Sequence, residues 1–354
     1  MRNSDQPAPS GPSIQPGMLD NIRQLFKDAR RALLVSHIRP DGDAIGSTLG
    51  LGLALRQAGV DAQMALADGV PFSYRHLEGS KQVLRSPGDL SQYDTVIVVD
   101  CADLKRTGGL LGTRVPDLNI DHHITNLSFA RINFVETEQV ATAAIIAEYL
   151  PQWGLGYNKA IADALLTGIV TDTIGFRTPN MTPHTLRLAA MLMEHGSNLP
   201  DLYTRALVSK TYEAARYWGF GLGKLQQEVI DTGTGDEPAR LVWTSLTLSD
   251  RQEARYNGND DADLVNTLSA IEGDAAVIFV EQRHGRVKIS WRARPGIDVS
   301  KIALQFGGGG HAAASGAELE GTLESIQKQV LSATRIAIAE AVQSKANGED
   351  PNQA

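Results

Sequence analysis

Residues 19–30 carry apolar side chains at helical spacing and read as an amphipathic helix. Residues 32–36 follow as a short apolar run, the mark of a buried strand. Beyond a polar stretch, 45–58 return to helical spacing and stop at Gly59, a residue suited to the position just past a helix end. Residues 60–66 are strand-like, and 95–99 (Thr-Val-Ile-Val-Val) form a β-branched run of the kind buried on both faces of a parallel sheet. Another short strand is predicted at 117–120, then helices at 141–150 and 158–170. Strands alternating with helices imply an α/β layered domain around a mostly parallel sheet.

The pattern then changes. Residues 198–231 look helical, with Tyr203, Leu207, Tyr212, Tyr217, Phe220 and Leu225 as apolar positions, and read as a connector. The Thr-Gly-Thr-Gly-Asp-Glu-Pro stretch at 232–238 is the clearest break. A second pattern begins at Ala239, with strands predicted at 240–246, 275–281 and 287–292 and helices at 260–271, 299–306 and 323–342. No internal repeat is visible. The expected organisation is a leader at 1–17 carrying Pro7, Pro9, Pro12 and Pro16, a domain at 18–197, the connector at 198–235, a smaller α/β domain at 236–342 and a polar tail at 343–354. The leader lacks the apolar core of a signal segment. The longest apolar stretch, 44–55, falls well short of the roughly 20 residues needed to cross a bilayer, so a cytoplasmic protein without membrane contact is expected.

Composition narrows the chemistry. The 354 residues suit two domains of ordinary size, and 42% hydrophobic content excludes wholesale disorder. One cysteine permits neither an internal disulfide nor a thiolate cluster. With 33 Lys and Arg against 41 Asp and Glu, the formal net charge of −8 argues against binding long nucleic acid, which cationic contacts to phosphate drive. The acidity suits a carboxylate-rich metal site instead.

Four polar clusters follow apolar runs that read as strand ends: Ser36-His37-Ile38-Arg39-Pro40-Asp41-Gly42-Asp43, then Asp100, then Asp121-His122-His123, then Thr171-Asp172-Thr173. In parallel α/β sheets the carboxyl ends of strands gather at one edge, where ligands bind, so these clusters are expected to converge. Asp and neutral His suit Mn²⁺, Mg²⁺ or Zn²⁺. Asp41, Asp43, Asp100 and Asp172 together carry four negative charges, which two divalent ions would neutralise and which would otherwise repel. Any one of these aspartates, taken alone, reads as readily as a helix cap or turn former. Spacing does not divide the ligands between two ions.

These four motifs, with His37-Ile38-Arg39-Pro40-Asp41-Gly42-Asp43-Ala44-Ile45-Gly46-Ser47 leading, resemble those of the DHH phosphoesterase family. Gly307-Gly308-Gly309-Gly310-His311-Ala312-Ala313-Ala314-Ser315-Gly316 is similar to the glycine-rich signature of the DHH-associated C-terminal domain. Length and domain pairing look most like the bacterial nanoRNases that also dephosphorylate 3′-phosphoadenosine 5′-phosphate (pAp). The resemblance implies an α/β fold of two domains with the active-site cleft between them. It implies two divalent ions, Mn²⁺ by preference, one on His37, Asp41 and Asp100 and the other on Asp43, Asp100, His122 and Asp172, with Asp100 shared. It makes Asp121 an orienter of the ligating imidazole, fixing its tautomer and direction, and sets His123 toward the scissile phosphate. The implied reaction is attack of metal-activated water on phosphorus, turning oligoribonucleotides into mononucleotides or pAp into AMP.

The glycine-rich stretch reads as a loop whose backbone approaches a ligand closely, with Gly309 and Gly310 forming an anion nest and His311 adding a donor. Residues 283–311 hold six Lys and Arg (Arg283, Arg286, Lys288, Arg292, Arg294, Lys301) against Asp298, reversing the sign of the whole chain. Arg292 occupies the arginine position of the family's short motif before the loop, and Ala293 stands where a small hydroxyl residue is usual. Arg294 and Arg177 are further substrate candidates. Cys101 reads as a buried thiol, Asp103 and Arg106 as braces of the second motif. Expected partners are short RNA oligonucleotides or nucleoside bisphosphates, not long duplexes, and a homodimer is compatible with them. The same motifs would serve a phosphodiesterase of linear or cyclic dinucleotides, a RecJ-like single-strand exonuclease, or a nucleotide-binding protein without activity. The intact ligand set, the net charge and the absence of sensor segments disfavour these.

Overall fold

The structure, a computed structural model, describes residues 17–231 and 238–346. The leader up to residue 16, most of the break at 232–238 and the tail beyond 346 lie outside the described residues. The chain divides into two compact units between Ser209 and Lys210, inside the stretch read as a connector.

The first unit runs α1 (Met18–Asp28), β1 (Arg31–Val35), α2 (Gly42–Gln57), β2 (Asp61–Ala65), β3 (Thr95–Val99), β4 (Leu118–Asp121), β5 (Ile132–Val135), α3 (Thr142–Tyr149), α4 (Lys159–Asp172), α5 (Pro183–Glu194) and α6 (Leu199–Tyr203). A π-helical turn, Thr204–Val208, closes it. The sheet order is β2-β1-β3-β4-β5 with every pairing parallel. Its central strand β3 is buried along its whole length, as its β-branched run requires.

Two elements escape the sequence pattern: β5 is only four residues long with one fully buried side chain, and α5 buries a narrow stripe. A third difference touches the site. The apolar run before Thr171-Asp172-Thr173 is the last turn of helix α4, so the fourth cluster ends a helix rather than a strand.

Helix α2 packs on α4 at close range through a glycine stripe four residues apart. A Cβ on Gly46 would stand 2.5 Å from the Ala164 carbonyl oxygen and 2.8 Å from the Gly168 nitrogen, so backbone meets backbone there. On Gly42 it would meet Thr171 Oγ1 at 2.2 Å, whereas at Gly50 it would press the flexible end of Leu165. This approach sets the start of α2 beside the end of α4. Gly46→Ala should therefore cost about 2–3 kcal/mol, seen as a lowered urea midpoint, and Gly50→Ala less.

The second unit runs α7 (Tyr212–Gly223), β6 (Gln226–Ile230), β7 (Ala239–Leu246), α8 (Leu248–Ala254), α9 (Leu264–Leu268), β8 (Ala275–Arg283), β9 (Arg286–Ala293), α10 (Val299–Gln305), β10 (Gly309–His311), β11 (Ala314–Glu320) and α11 (Leu323–Ala346). Its six-stranded sheet, ordered β10-β11-β9-β8-β7-β6, is mixed, with β7 and β8 parallel and the other pairs antiparallel. Residues 226–230, expected to be helical, form edge strand β6. The helix expected at 260–271 is reduced to α9, because Ala262 and Asp263 take left-handed conformations (φ 52° and 66°) before it. Helix α11 runs to Ala346, into the stretch read as tail.

On β9 the alternation is clean. Val287, Ile289 and Trp291 are buried in the core that includes Ile302 of α10 and Val330 of α11, while Lys288, Ser290 and Arg292 point to the other face.

Candidate metal centre and substrate face

Each motif of the first unit is aimed by the element it terminates. His37 and Asp41 follow β1, and Asp41 caps α2, its Oδ1 accepting from the Asp43 and Ala44 nitrogens at 3.1 and 3.0 Å. The helix-cap reading is thus true of Asp41 without exhausting it, since Oδ2 faces His37 Nε2 at 3.8 Å. Asp100 ends β3 in a left-handed conformation, φ 52°, which aspartate tolerates better than most residues. Asp121 ends β4, and Asp172 ends α4.

These side chains meet. Asp100 Oδ2 lies 3.5 Å from His37 Nε2, and Oδ1 lies 3.7 Å from His122 Nε2. His122 Nε2 lies in turn 3.6 Å from Asp172 Oδ2. Among the described residues, three triads have donor atoms within 4.8 Å of one another: His37, Asp41 and Asp100; Asp43, His122 and Asp172; Asp100, His122 and His123. Asp100 and His122 are each shared by two triads. All the donors are nitrogen or oxygen, so the set fits hard to borderline divalent ions.

The electrostatics fit as well. Asp43 is almost fully buried, and burial, followed by the charges of Asp100, Asp172 and Asp41, raises its carboxyl well above the usual range. Asp172 is pushed up to about 7 by burial and by Asp41 and Asp100, against the lowering pull of His122. Asp100 goes the other way: burial would raise it, but the His37 hydrogen bond and the charges of His123, His37 and His122 hold it well below the carboxylate range. Carboxylates that resist ionisation together are what a bound cation relieves.

A pH dependence follows. In the metal-free protein a carboxyl titrating near 7 keeps its proton where the unfolded chain has lost it, so stability falls as pH rises from about 4 to 7. A divalent ion must displace that proton. Mn²⁺ affinity should therefore climb with pH, up to about tenfold per pH unit for each proton released, measurable by calorimetry in buffers of different ionisation enthalpy.

Supporting contacts supply residues that the sequence did not single out. The nitrogens of Thr142 and Ala143, at the start of α3, donate to Asp43 Oδ2 and Oδ1 at 2.6 and 2.9 Å, and Ser47 Oγ adds a third bond at 3.1 Å. Thr142 Oγ1 donates to Asp100 Oδ1 at 3.1 Å. His122 Nδ1 faces the Gln139 carbonyl at 3.3 Å, turning Nε2 toward the carboxylates. Asp121 Oδ1 binds His123 Nδ1 at 2.7 Å, while Oδ2 accepts from Asn126 at 2.6 Å, and Asn126 also donates to Asn119. Burial would lower His123, but Asp121, Asp100 and Asp172 raise it to about 9. Cys101 is buried, its thiol raised to about 12 mainly by burial, and no metal triad among the described residues includes it. Asp103 caps the turn after it, and the Arg106 carbonyl accepts from the Ile38 nitrogen at 2.6 Å.

Arg177 is exposed, with Nε turned back onto the Ile174 carbonyl at 2.9 Å.

In the second unit the glycine-rich segment is not a loop. Gly309–His311 form edge strand β10, paired to β11, and only the backbone side turned away from β11 remains for a ligand. Gly310 needs its lack of side chain there: at φ 139°, a Cβ would stand 2.6 Å from the Ala314 carbonyl oxygen. The register aligns Arg292 with Ala314 and Ala314 with His311, so arginine and histidine share one cross-strand row on the face opposite the Trp291 core. Ser290, Gly316 and Gly309 form the next row. Arg294 is exposed and, with Arg292, Ser269 and Asp274, lines a small pocket at the end of β9.

Fold and donors define a class: proteins with nitrogen and oxygen donors that could hold divalent ions at the carboxyl edge of a parallel α/β sheet. Residues 31–169 match the DHH family N-terminal domain and residues 245–338 match the DHHA1 domain. The bifunctional oligoribonuclease and PAP phosphatase NrnA of Thermus thermophilus is 34% identical over 305 residues, covering 85% of this chain and 88% of its own length. The protein of the same name from Bacillus subtilis is 27% identical, covering 81% and 88%. An exopolyphosphatase-related protein from Bacteroides fragilis shares the fold, with a TM-score of 0.80 at 24% identity over 92% of this chain and 98% of that one. The chain belongs to the DHH family.

Proposed function

We propose that this chain is a metal-dependent phosphoesterase that cleaves short oligoribonucleotides to mononucleotides and removes phosphate from pAp. The observation that carries the reading is the set of three N/O triads joined through Asp100 and His122. His37, Asp41 and Asp100 would hold one divalent ion, and Asp43, Asp100, His122 and Asp172 a second, with Mn²⁺ the preferred metal. When bound, such ions activate water and neutralise charge at phosphorus.

The chain's own groups do the rest. Asp121 holds His123 in one orientation, and the imidazolium stabilises the charge that develops on the phosphoryl oxygens. The Asp43 carboxylate is fixed by the first amides of α3, so its ligand geometry is set before any ion arrives. Arg292, His311 and the backbone of Gly309 and Gly310 would bind phosphate or base, with Arg294 and Arg177 as outlying contacts.

Two further observations support short substrates. The named function of the NrnA relatives is oligoribonuclease and PAP phosphatase, and the chain covers 88% of two of them. A net charge of −8 supplies little attraction for a long polyanion. We place the enzyme in the cytoplasm, a compartment that keeps a thiol such as Cys101 reduced. No helix among the described residues is long and apolar enough to cross a membrane.

The test is a side-by-side Mn²⁺ assay of pAp, a 5′-labelled diribonucleotide, a 24-mer and cyclic di-AMP, with and without chelator. The expected order puts pAp and the diribonucleotide far ahead, with chelator abolishing both. Preference for the 24-mer or cyclic di-AMP would overturn the substrate assignment.

A further inference from the structure

Arg292 is held in one orientation by a residue that no motif includes. Its Nε and Nη2 both point at Asn266 Oδ1, at 3.3 and 3.1 Å, and its Nη1 donates to the Trp291 carbonyl at 2.9 Å. A guanidinium has five N–H groups in a planar fork. Asn266 takes the Nε–Nη2 side of that fork, and the Trp291 carbonyl takes one hydrogen of Nη1. What remains is one hydrogen on each Nη, the end-on pair suited to two oxygens of one phosphate.

The segment that carries Asn266 is built to hold this position. Ala262 and Asp263 both have positive φ, 52° and 66°, a conformation unfavourable for alanine that persists only under external constraint. The constraints are visible. Trp218 Nε1 donates to the Ala262 carbonyl at 2.9 Å, and Lys210 Nζ binds Asp263 at 2.5 Å. Tyr256 donates to Asp260 Oδ1 at 2.6 Å, which also accepts from the Ala262 nitrogen. Buried Asp261 then accepts from the Val265 nitrogen at 2.9 Å, starting the turn from which Asn266 projects. Asparagine accepts two N–H bonds without adding a further charge to the carboxylates of Asp261 and Asp263, which already act on this guanidinium.

We infer that Asn266 is the positioning residue of the substrate face: it consumes the side-on edge of Arg292 and thereby dedicates the end-on edge to a terminal phosphate of the substrate. This rests on the phosphoesterase reading and adds to it the group that aims Arg292 at a phosphate of the substrate.

A double-mutant cycle in the full-length Mn²⁺ enzyme tests it, with pAp and a 5′-phosphorylated diribonucleotide as substrates. Asn266→Ala is expected to raise KM about tenfold with kcat within about twofold, and Arg292→Ala to raise it at least as much. The double variant should match Arg292→Ala alone, because Asn266 acts only through the arginine. Asn266→Leu, of similar volume but with no acceptor, should reproduce the alanine result and separates lost positioning from a cavity or poor folding. Multiplicative effects in the double variant, or an unchanged KM in both Asn266 variants, would overturn the assignment while leaving the phosphoesterase reading intact. A wild-type protein inactive on both substrates would overturn that reading and this inference with it.

Discussion

Asp100→Ala is expected to abolish hydrolysis, lowering kcat by at least about 10⁴-fold, and to reduce bound Mn²⁺ measured by mass spectrometry of desalted protein. The size of the effect comes from position. The two oxygens of this carboxylate face two different histidines, His37 at 3.5 Å and His122 at 3.7 Å, and Thr142 Oγ1 fixes the pair. Removing it damages both proposed ion sites at once, whereas Asp172→Ala touches the triad with Asp43 and His122. Asp100→Asn, which tolerates the same left-handed backbone and keeps an acceptor for Thr142 Oγ1, is the variant that separates lost charge from lost fold. A folded Asp100→Ala protein with full Mn²⁺-dependent activity would dispose of the metal-centre assignment.

His123→Ala should lower kcat by about 10²–10³-fold with Mn²⁺ content unchanged, since its Nδ1 is committed to Asp121 and it stands beside, rather than within, the proposed ligand sets. The pH profile separates this role from a structural one. In the metal-free protein burial lowers the imidazolium's pKa, and Asp121, Asp100 and Asp172 raise it to about 9. Bound divalent ions would oppose the last two, so in the Mn²⁺ enzyme Asp121 is the group left to hold this charge, which is lost as pH rises. Asp121→Asn removes part of the support, and its activity should fall off at lower pH than the wild type's. Unchanged alkaline limbs in wild type and Asp121→Asn, or Mn²⁺ lost from His123→Ala, would assign His123 to the metal instead.

Much of this site was legible without coordinates because its residues sit at the ends of strongly patterned elements. The run Thr-Val-Ile-Val-Val announces β3, and the residue after it, Asp100, therefore belongs at a sheet edge. Asp121-His122-His123 straddles the end of β4 for the same reason. Asp172 came to the right cluster by a different road. It ends a helix, and it reaches the sheet edge because Gly46 and Gly168 let α2 and α4 touch backbone to backbone. Periodicity reports which face of a helix is apolar, not how near another helix can come.

The second unit was harder to read. Its short edge strands β6 and β10 carry few apolar residues, so alternation gives no signal, and a Gly-Gly-Gly-Gly run reads as loop whether or not it pairs. Pairing to β11 decides that Arg292 and His311 share a row. Asn266 was invisible because a carbonyl that orients a guanidinium has no spacing rule: its partner lies 26 residues away and is reached from a helix packed on the sheet.

The sequence by itself determined the alternating α/β order, the nitrogen-and-oxygen character of the candidate cluster and the family. It did so because local spacing and the chemistry of side chains are properties of the chain. Tertiary structure alone decided that Asp100 is shared between triads, that Asp172 arrives on a helix, that Thr142 braces two aspartates, and that Asn266 turns Arg292. Each of these depends on distances between segments far apart in the chain, which close packing sets and which no local pattern records.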